Sequence, residues 1–100
     1  TRYLEDLIFA LVAENPKVEH VILMCTAVNE IDMSALATLQ KINETLLDQN
    51  IRLHLSEVKG PIMDRLVDTA FFAGLSGNNY LSHNQAVEDL KDQQLPLSAL

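Results

Sequence analysis

Cysteine occurs once in the sequence, at position 25, and a single thiol rules out an internal disulfide framework. It also leaves no Cys/His spacing of a structural zinc site, and a reducing compartment fits such a chain. Glycine and proline are scarce, three of each, and no stretch is low in complexity, which excludes collagen-like and linker-like chains. The longest uninterrupted apolar run, Leu7 to Ala13, is far below the roughly 18 residues of a transmembrane helix, so the isolated chain is not expected to insert in a membrane. Basic residues are the other shortage: seven Lys and Arg stand against fourteen Asp and Glu, a formal charge of -7. An acidic surface repels phosphate backbones and anionic headgroups, so neither nucleic-acid binding nor polybasic membrane docking is expected. The chain opens on Thr1 and an amphipathic pattern, without a basic segment leading into an apolar one, and reads as a piece excised from something larger.

What is present is one domain's worth of packable sequence: 100 residues, 48% hydrophobic and 21% charged. Leu4, Leu7, Ile8 and Leu11 recur at helical period, predicting a helix from Tyr3 to Glu14 that stops before Pro16. His20 to Thr26, HVILMCT, is a short continuous apolar run rich in β-branched residues, the pattern of a parallel strand covered on both faces. Asp32 is a good N-cap for a second helix with core face Leu36, Leu39, Ile42, Leu46 and Leu47, and Asn50 supplies a left-handed C-terminal residue. In Ile51 to Ser56 apolar residues alternate with Arg52, His54 and Ser56, predicting a strand with one face less covered.

A third helix starts at Pro61 and runs to about Ala70, burying Ile62, Leu66 and Val67, until FFAGLSG breaks it. Tyr80 and Leu81 form a very short edge strand, and Ser82 with Gln85 has the spacing of a capping box for a last helix to about Asp92. Residues 93–100, QQLPLSAL, read as a frayed tail or linker remnant beyond a domain spanning 1–92. The order of elements predicts an α/β fold with a small, mainly parallel sheet and about four helices. Two full strands and one short one are a thin sheet for four helices, so a strand or hairpin before Thr1 is expected to be missing.

No phosphate-binding glycine loop, nucleophile elbow or H-E-x-x-H sequence occurs. His20, His54 and His83 are spread along the chain with no metal-ligand spacing between any two, and Cys25 sits inside VILMC as a buried, inert thiol. Neither a catalytic residue nor a bound cofactor or metal is expected, and a small α/β enzyme fragment ranks last among the readings. More informative is VNEIDMSALATL, where Asp32 caps a helix and Ser34 places a hydroxyl in its first turn. There the helix dipole and free N-H groups favour an anion, so a phosphoryl group on Ser34 would be well accommodated.

At this loop and at the later VKGP the sequence resembles the STAS domain, the module shared by SulP-type anion transporters and bacterial anti-sigma factor antagonists. The resemblance covers nearly the whole chain: the VILMC strand, the D-x-S-A-L helix start at Asp32, Asn50 and Ile51 before the second strand, VKGPIMDRL from Val58 to Leu66, and YLSHNQAVEDL from Tyr80 to Leu90. The Lys59-Gly60-Pro61 turn looks like the bacterial SulP branch. In the antagonist branch the loop carries Asp-Ser-Ser with a phosphorylated first serine; here Asp32 matches the aspartate, Met33 falls on the phosphoacceptor and Ser34 on the second serine. Methionine cannot be phosphorylated, which departs from that switch and leaves Ser34 as the candidate acceptor.

The resemblance implies a STAS fold with an N-terminal strand pair ahead of the first helix. It further implies a cytoplasmic C-terminal regulatory domain of a SulP-type secondary anion transporter for sulfate, bicarbonate or a dicarboxylate, at the inner membrane of a bacterium. Its partners would be the transporter membrane domain in the same chain and a cytoplasmic protein. The expected recognition surface combines Asp32, Met33, Ser34, Ala35 and Leu36 with Lys59, Gly60, Pro61 and Ile62. The alternative is a free-standing anti-sigma factor antagonist that works as a phosphorylation-controlled partner switch.

Overall fold

The computed structural model describes residues 2–91 and 94–98 of the chain. Its elements run α1 (Arg2–Glu14), β1 (His20–Met24), α2 (Met33–Asp48), β2 (Arg52–Ser56), α3 (Gly60–Leu66), α4 (Ala70–Ala73), β3 (Asn79–Tyr80), α5 (His83–Asp89) and β4 (Gln94–Ser98). The strands form one open sheet in the order β3-β2-β1-β4, with every pairing parallel. β1 lies centrally, His20 opposite Arg52 and Met24 opposite Ser56, and Val21, Ile22 and Leu23 are buried as the unbroken apolar run requires.

Alternation along the strands divides the domain into two layers. One face presents Val21, Leu23, Cys25, Leu53 and Leu55 to a core completed by Ile8 and Val12 of α1, Leu39, Ile42 and Leu46 of α2, Ile62 and Leu66 of α3 and Phe71 of α4. The opposite face carries a much smaller cluster, Ile22, Tyr80 and Ala86, with Leu90 packed against it from the end of α5.

Local sequence explains the element ends. The Asp32 carboxylate accepts a hydrogen bond from the Ala35 N-H at 2.8 Å, capping α2 as its position predicts. At the other end Asn50 takes φ 62, while the N-H groups of Ile51 and Asn50 reach the carbonyls of Leu46 and Leu47 at 2.9 Å each. This is a Schellman closure in which asparagine tolerates the left-handed backbone. Ser82 accepts from the Gln85 N-H at 3.1 Å and starts α5.

Several expectations change. The FFAGLSG segment opens with a fifth helix, because the Thr69 hydroxyl accepts from the Phe72 N-H at 3.2 Å and restarts the helix that ended at Leu66. Val67 therefore caps α3 at its rim, 47% exposed, and Leu47 is 49% exposed at the edge of the α2 stripe formed by Leu39, Ile42, Asn43 and Leu46. β3 covers Asn79–Tyr80, and Leu81 turns outward because Ser82 must cap α5. α5 stops at Asp89, short of Asp92, a residue outside the described ones.

The largest change concerns the expected tail, whose residues 94–98 form β4 parallel to β1, with Gln94 opposite His20 and Ser98 opposite Met24. A strand as buried as β1 needs a backbone partner along both edges, and proline is tolerated at Pro96 because β4 is an outer strand. The thin sheet thereby gains its fourth strand from residues after the last helix.

Candidate functional site

The connections leaving β1 and β2 at their C-terminal ends bring the two sequence-predicted segments together. Lys59 donates from Nζ to the Asn29 Oδ1 at 2.6 Å, tying the β2–α3 connection to the β1–α2 connection. Met33 stands 83% exposed in the first turn of α2. Ser34 is exposed in the same turn, and Asp32, Lys59, Gly60 and Pro61 are exposed as well. A Cβ at Gly60 would meet nothing within 4 Å, so packing does not demand glycine there.

Three of the nine expected surface residues face inward to different degrees. Ala35 and Leu36 are half-buried, and Ile62 is 4% exposed within the apolar core, because its helical phase points it at the sheet together with Leu66. The accessible surface thus consists of Asp32, Met33 and Ser34 from one connection and Lys59, Gly60 and Pro61 from the other. The Asp32 carboxylate already occupies the N-terminus of α2, and phosphate on Ser34 would add about -1.5 to -2 charges beside it. Repulsion and the helix dipole would then oppose each other within one turn.

Below this surface lies a cavity of about 570 Å³ between the sheet and the starts of α1, α2 and α3. Leu23, Cys25 and Leu55 form its floor and Phe71 part of its wall, while Glu30, Asp32 and Arg65 bring charges of both signs to its lining. Charge alone therefore selects no class of ligand for it. Burial pushes the Cys25 thiol up to about 11, and its hydrogen bond goes to the Leu23 carbonyl at 3.5 Å, so the thiolate needed for nucleophilic attack is not formed near neutrality.

On the other face, the three histidines prove less scattered than their spacing implies. His20 Nδ1 lies 3.0 Å from His54 Nε2, and His83 Nδ1 lies 3.3 Å from the Ser56 hydroxyl. Diagonal positions on adjacent parallel strands bring the first pair together, a relation visible only once the register is known. The Ser56–His83 pair has the elements of an activated nucleophile but not the arrangement. Ser56 is fully buried, and the nearby Glu57 carboxylate accepts from the His83 backbone N-H at 2.8 Å, leaving the ring unoriented by an acid. Among the described residues, no three His, Cys, Asp or Glu side chains converge as metal ligands, and no helix is long and apolar enough to cross a membrane.

The sequence model of the STAS domain matches residues 2–86, from α1 into α5. Comparisons with curated proteins and with solved structures return no match. STAS domains are regulatory, non-catalytic modules, a role in keeping with an exposed two-connection surface above an inert thiol. With the family match spanning both connections and the strands β1 to β3, the chain belongs to the STAS domain family.

Proposed function

We propose that this domain regulates an attached SulP-type anion transporter through the surface formed by Asp32, Met33, Ser34, Lys59, Gly60 and Pro61. The observation that carries the reading is the Lys59–Asn29 hydrogen bond, which joins both connections into one surface with Met33 exposed upon it. An apolar side chain held out in water loses little on docking and gains the burial of its thioether arm. The resemblance of VKGP to the bacterial SulP branch supplies the transporter assignment, and Met33 at the phosphoacceptor position disfavours the antagonist assignment. The domain itself performs no chemistry on the anion. It influences transport to the extent that its contact with the membrane domain, or with a cytoplasmic protein, differs in free energy between inward- and outward-facing states.

The test is anion uptake by the full-length parent protein in vesicles, comparing wild type with Met33→Glu and with Lys59→Glu. Altered uptake rates with unchanged protein levels are expected for sulfate, bicarbonate or a dicarboxylate. A parent lacking apolar spans of about 20 residues, or stoichiometric phosphorylation of Ser34 by a cognate kinase, would instead favour the free-standing partner switch.

A further inference from the structure

The face of the sheet under α5 holds a hydrogen-bonded chain that the proposed regulatory surface does not use. His54 is 2% exposed at the middle of β2, and its Nδ1 accepts the backbone N-H of Asn78 at 2.9 Å. A nitrogen that accepts carries no proton, so the neutral ring holds its hydrogen on Nε2. That Nε2 faces His20 Nδ1 at 3.0 Å, making His54 the donor and His20 the acceptor.

The segment entering β3 lies directly against this ring. A Cβ at Gly77 would overlap the imidazole and the Leu53 carbonyl, so only glycine lets the backbone approach so closely. Gly77 donates to the Leu53 carbonyl and Leu55 donates to the Asn78 carbonyl, each at 3.0 Å. One imidazole thus links β1, β2 and the connection that delivers β3 and then α5.

A proton arriving at His54 has only Nδ1 to occupy, and an N-H there points at the N-H of Asn78, donor against donor. The groups facing the ring reinforce its neutrality. His20 on β1 and Arg52 on β2 both disfavour a positive charge on His54, and Asp89 on α5 offsets them only in part while accepting a hydrogen bond from the Tyr80 hydroxyl. His83 on α5 is turned to Ser56, and Glu57 is held by the His83 backbone N-H. Burial, followed by His20 and Arg52, lowers His54 to about 4 from its ordinary 6.5.

We propose that His54 is a proton-operated latch on the β3–α5 layer: protonation at Nδ1 severs the bond to Asn78 and releases β3 and α5 from the sheet while the face packed by α1 to α4 stays closed. In the released layer the ring regains its ordinary basicity. Each pH unit below about 6.5 then favours opening about tenfold, until the closed form also protonates near pH 4.

Backbone amide exchange of the whole domain, followed by NMR from pH 7.5 to pH 5 and corrected for intrinsic rates, tests this. Protection of Tyr80 and Ala86 should fall roughly 15-fold between pH 6.5 and pH 5, while Ile42 and Leu46 on the opposite face remain better protected throughout. His54→Asn sets an amide oxygen near the position of Nδ1, keeps the acceptor and removes the titration, and should flatten that slope. An unchanged slope in His54→Asn, or loss of protection at all four amides together, would overturn the proposal. So would imidazole nitrogen shifts of the wild-type protein showing His54 charged or protonated at Nδ1 at pH 7, a measurement independent of how any variant folds.

Discussion

The two faces of the sheet are closed by different physics. Under α1 to α4, contact is apolar side chain on apolar side chain: Ile8, Ile42, Leu46, Leu53 and Phe71 are all at most 2% exposed, and stability there scales with area removed from water. Under α5 the apolar cluster is small, and the buried volume is shared with His54, Ser56 and Tyr80, whose polar atoms are joined to Asn78, His83 and Asp89. A face held by area tolerates changes of pH and loses stability with each methylene removed. A face held by hydrogen bonds is stable only while each donor keeps its acceptor.

The greatest loss is expected on the apolar face. Phe71→Ala removes a large, 2% exposed side chain and should cost about 3–5 kcal/mol in urea unfolding, with little dependence on pH. A cost below about 1 kcal/mol would show that the adjoining cavity already leaves Phe71 poorly packed and would remove the contrast between the faces. Acid comes next and acts on the other face. A folded His54 near 4 and an unfolded one near 6.5 mean that the unfolded chain binds the proton first, so stability is fully present above about pH 6.5 and is lost as pH falls toward 4. The loss should reach about 2 kcal/mol at pH 5 and about 3 kcal/mol at completion, measured as the urea midpoint at fixed ionic strength against His54→Asn.

This contrast also explains what could be read from the sequence. Area-driven packing writes itself as periodicity, so α1, β1, α2 and the Asp32 and Ser82 caps stand where the apolar spacing and the capping residues predict. Hydrogen-bonded packing leaves no period. In RLHLS, His54 and Ser56 occupy the positions expected to face a less covered side, yet both are buried because the segment entering β3 closes on His54 and α5 on Ser56, both from later in the chain. The same limit applied to the proposed regulatory surface: Asp32, Met33, Ser34, Lys59, Gly60 and Pro61 are exposed, whereas the Asn29 partner of Lys59 carried no motif. β4 was hidden for a third reason, since Pro96 masks an outer strand whose place is created by the unpaired edge of β1.

Asn43 tests whether the apolar face is as free of polar dependence as its core implies. It is 3% exposed on α2, donates to the Gly74 carbonyl at 2.7 Å, and accepts from the Ser76 N-H at 3.1 Å and the Ser76 hydroxyl at 2.9 Å. Ser76 in turn accepts from the Leu53 N-H at 3.0 Å, so one amide fixes the connection from α4 to β3 against both α2 and β2. Asn43→Ala strands those groups away from water and should cost about 2 kcal/mol, seen as a lowered urea midpoint together with faster amide exchange at Ser76.

Tyr80→Phe provides the smallest expected effect and the sharpest comparison with Asn43. Tyr80 is 9% exposed and its hydroxyl donates to the Asp89 carboxylate while accepting from the Asn78 side chain at 3.3 Å. Removing the hydroxyl leaves Asp89 on the exposed side of α5, where water replaces the lost donor, so the cost should stay near 1 kcal/mol. The ring itself, with its centroid 5.9 Å from that of His54, keeps its packing and continues to shield the imidazole. Urea unfolding of Tyr80→Phe at pH 7 and pH 5 therefore separates two contributions within one face. A uniform loss at both pH values assigns the acid sensitivity to His54, whereas a loss confined to pH 7 would assign it to the Tyr80–Asp89 bond.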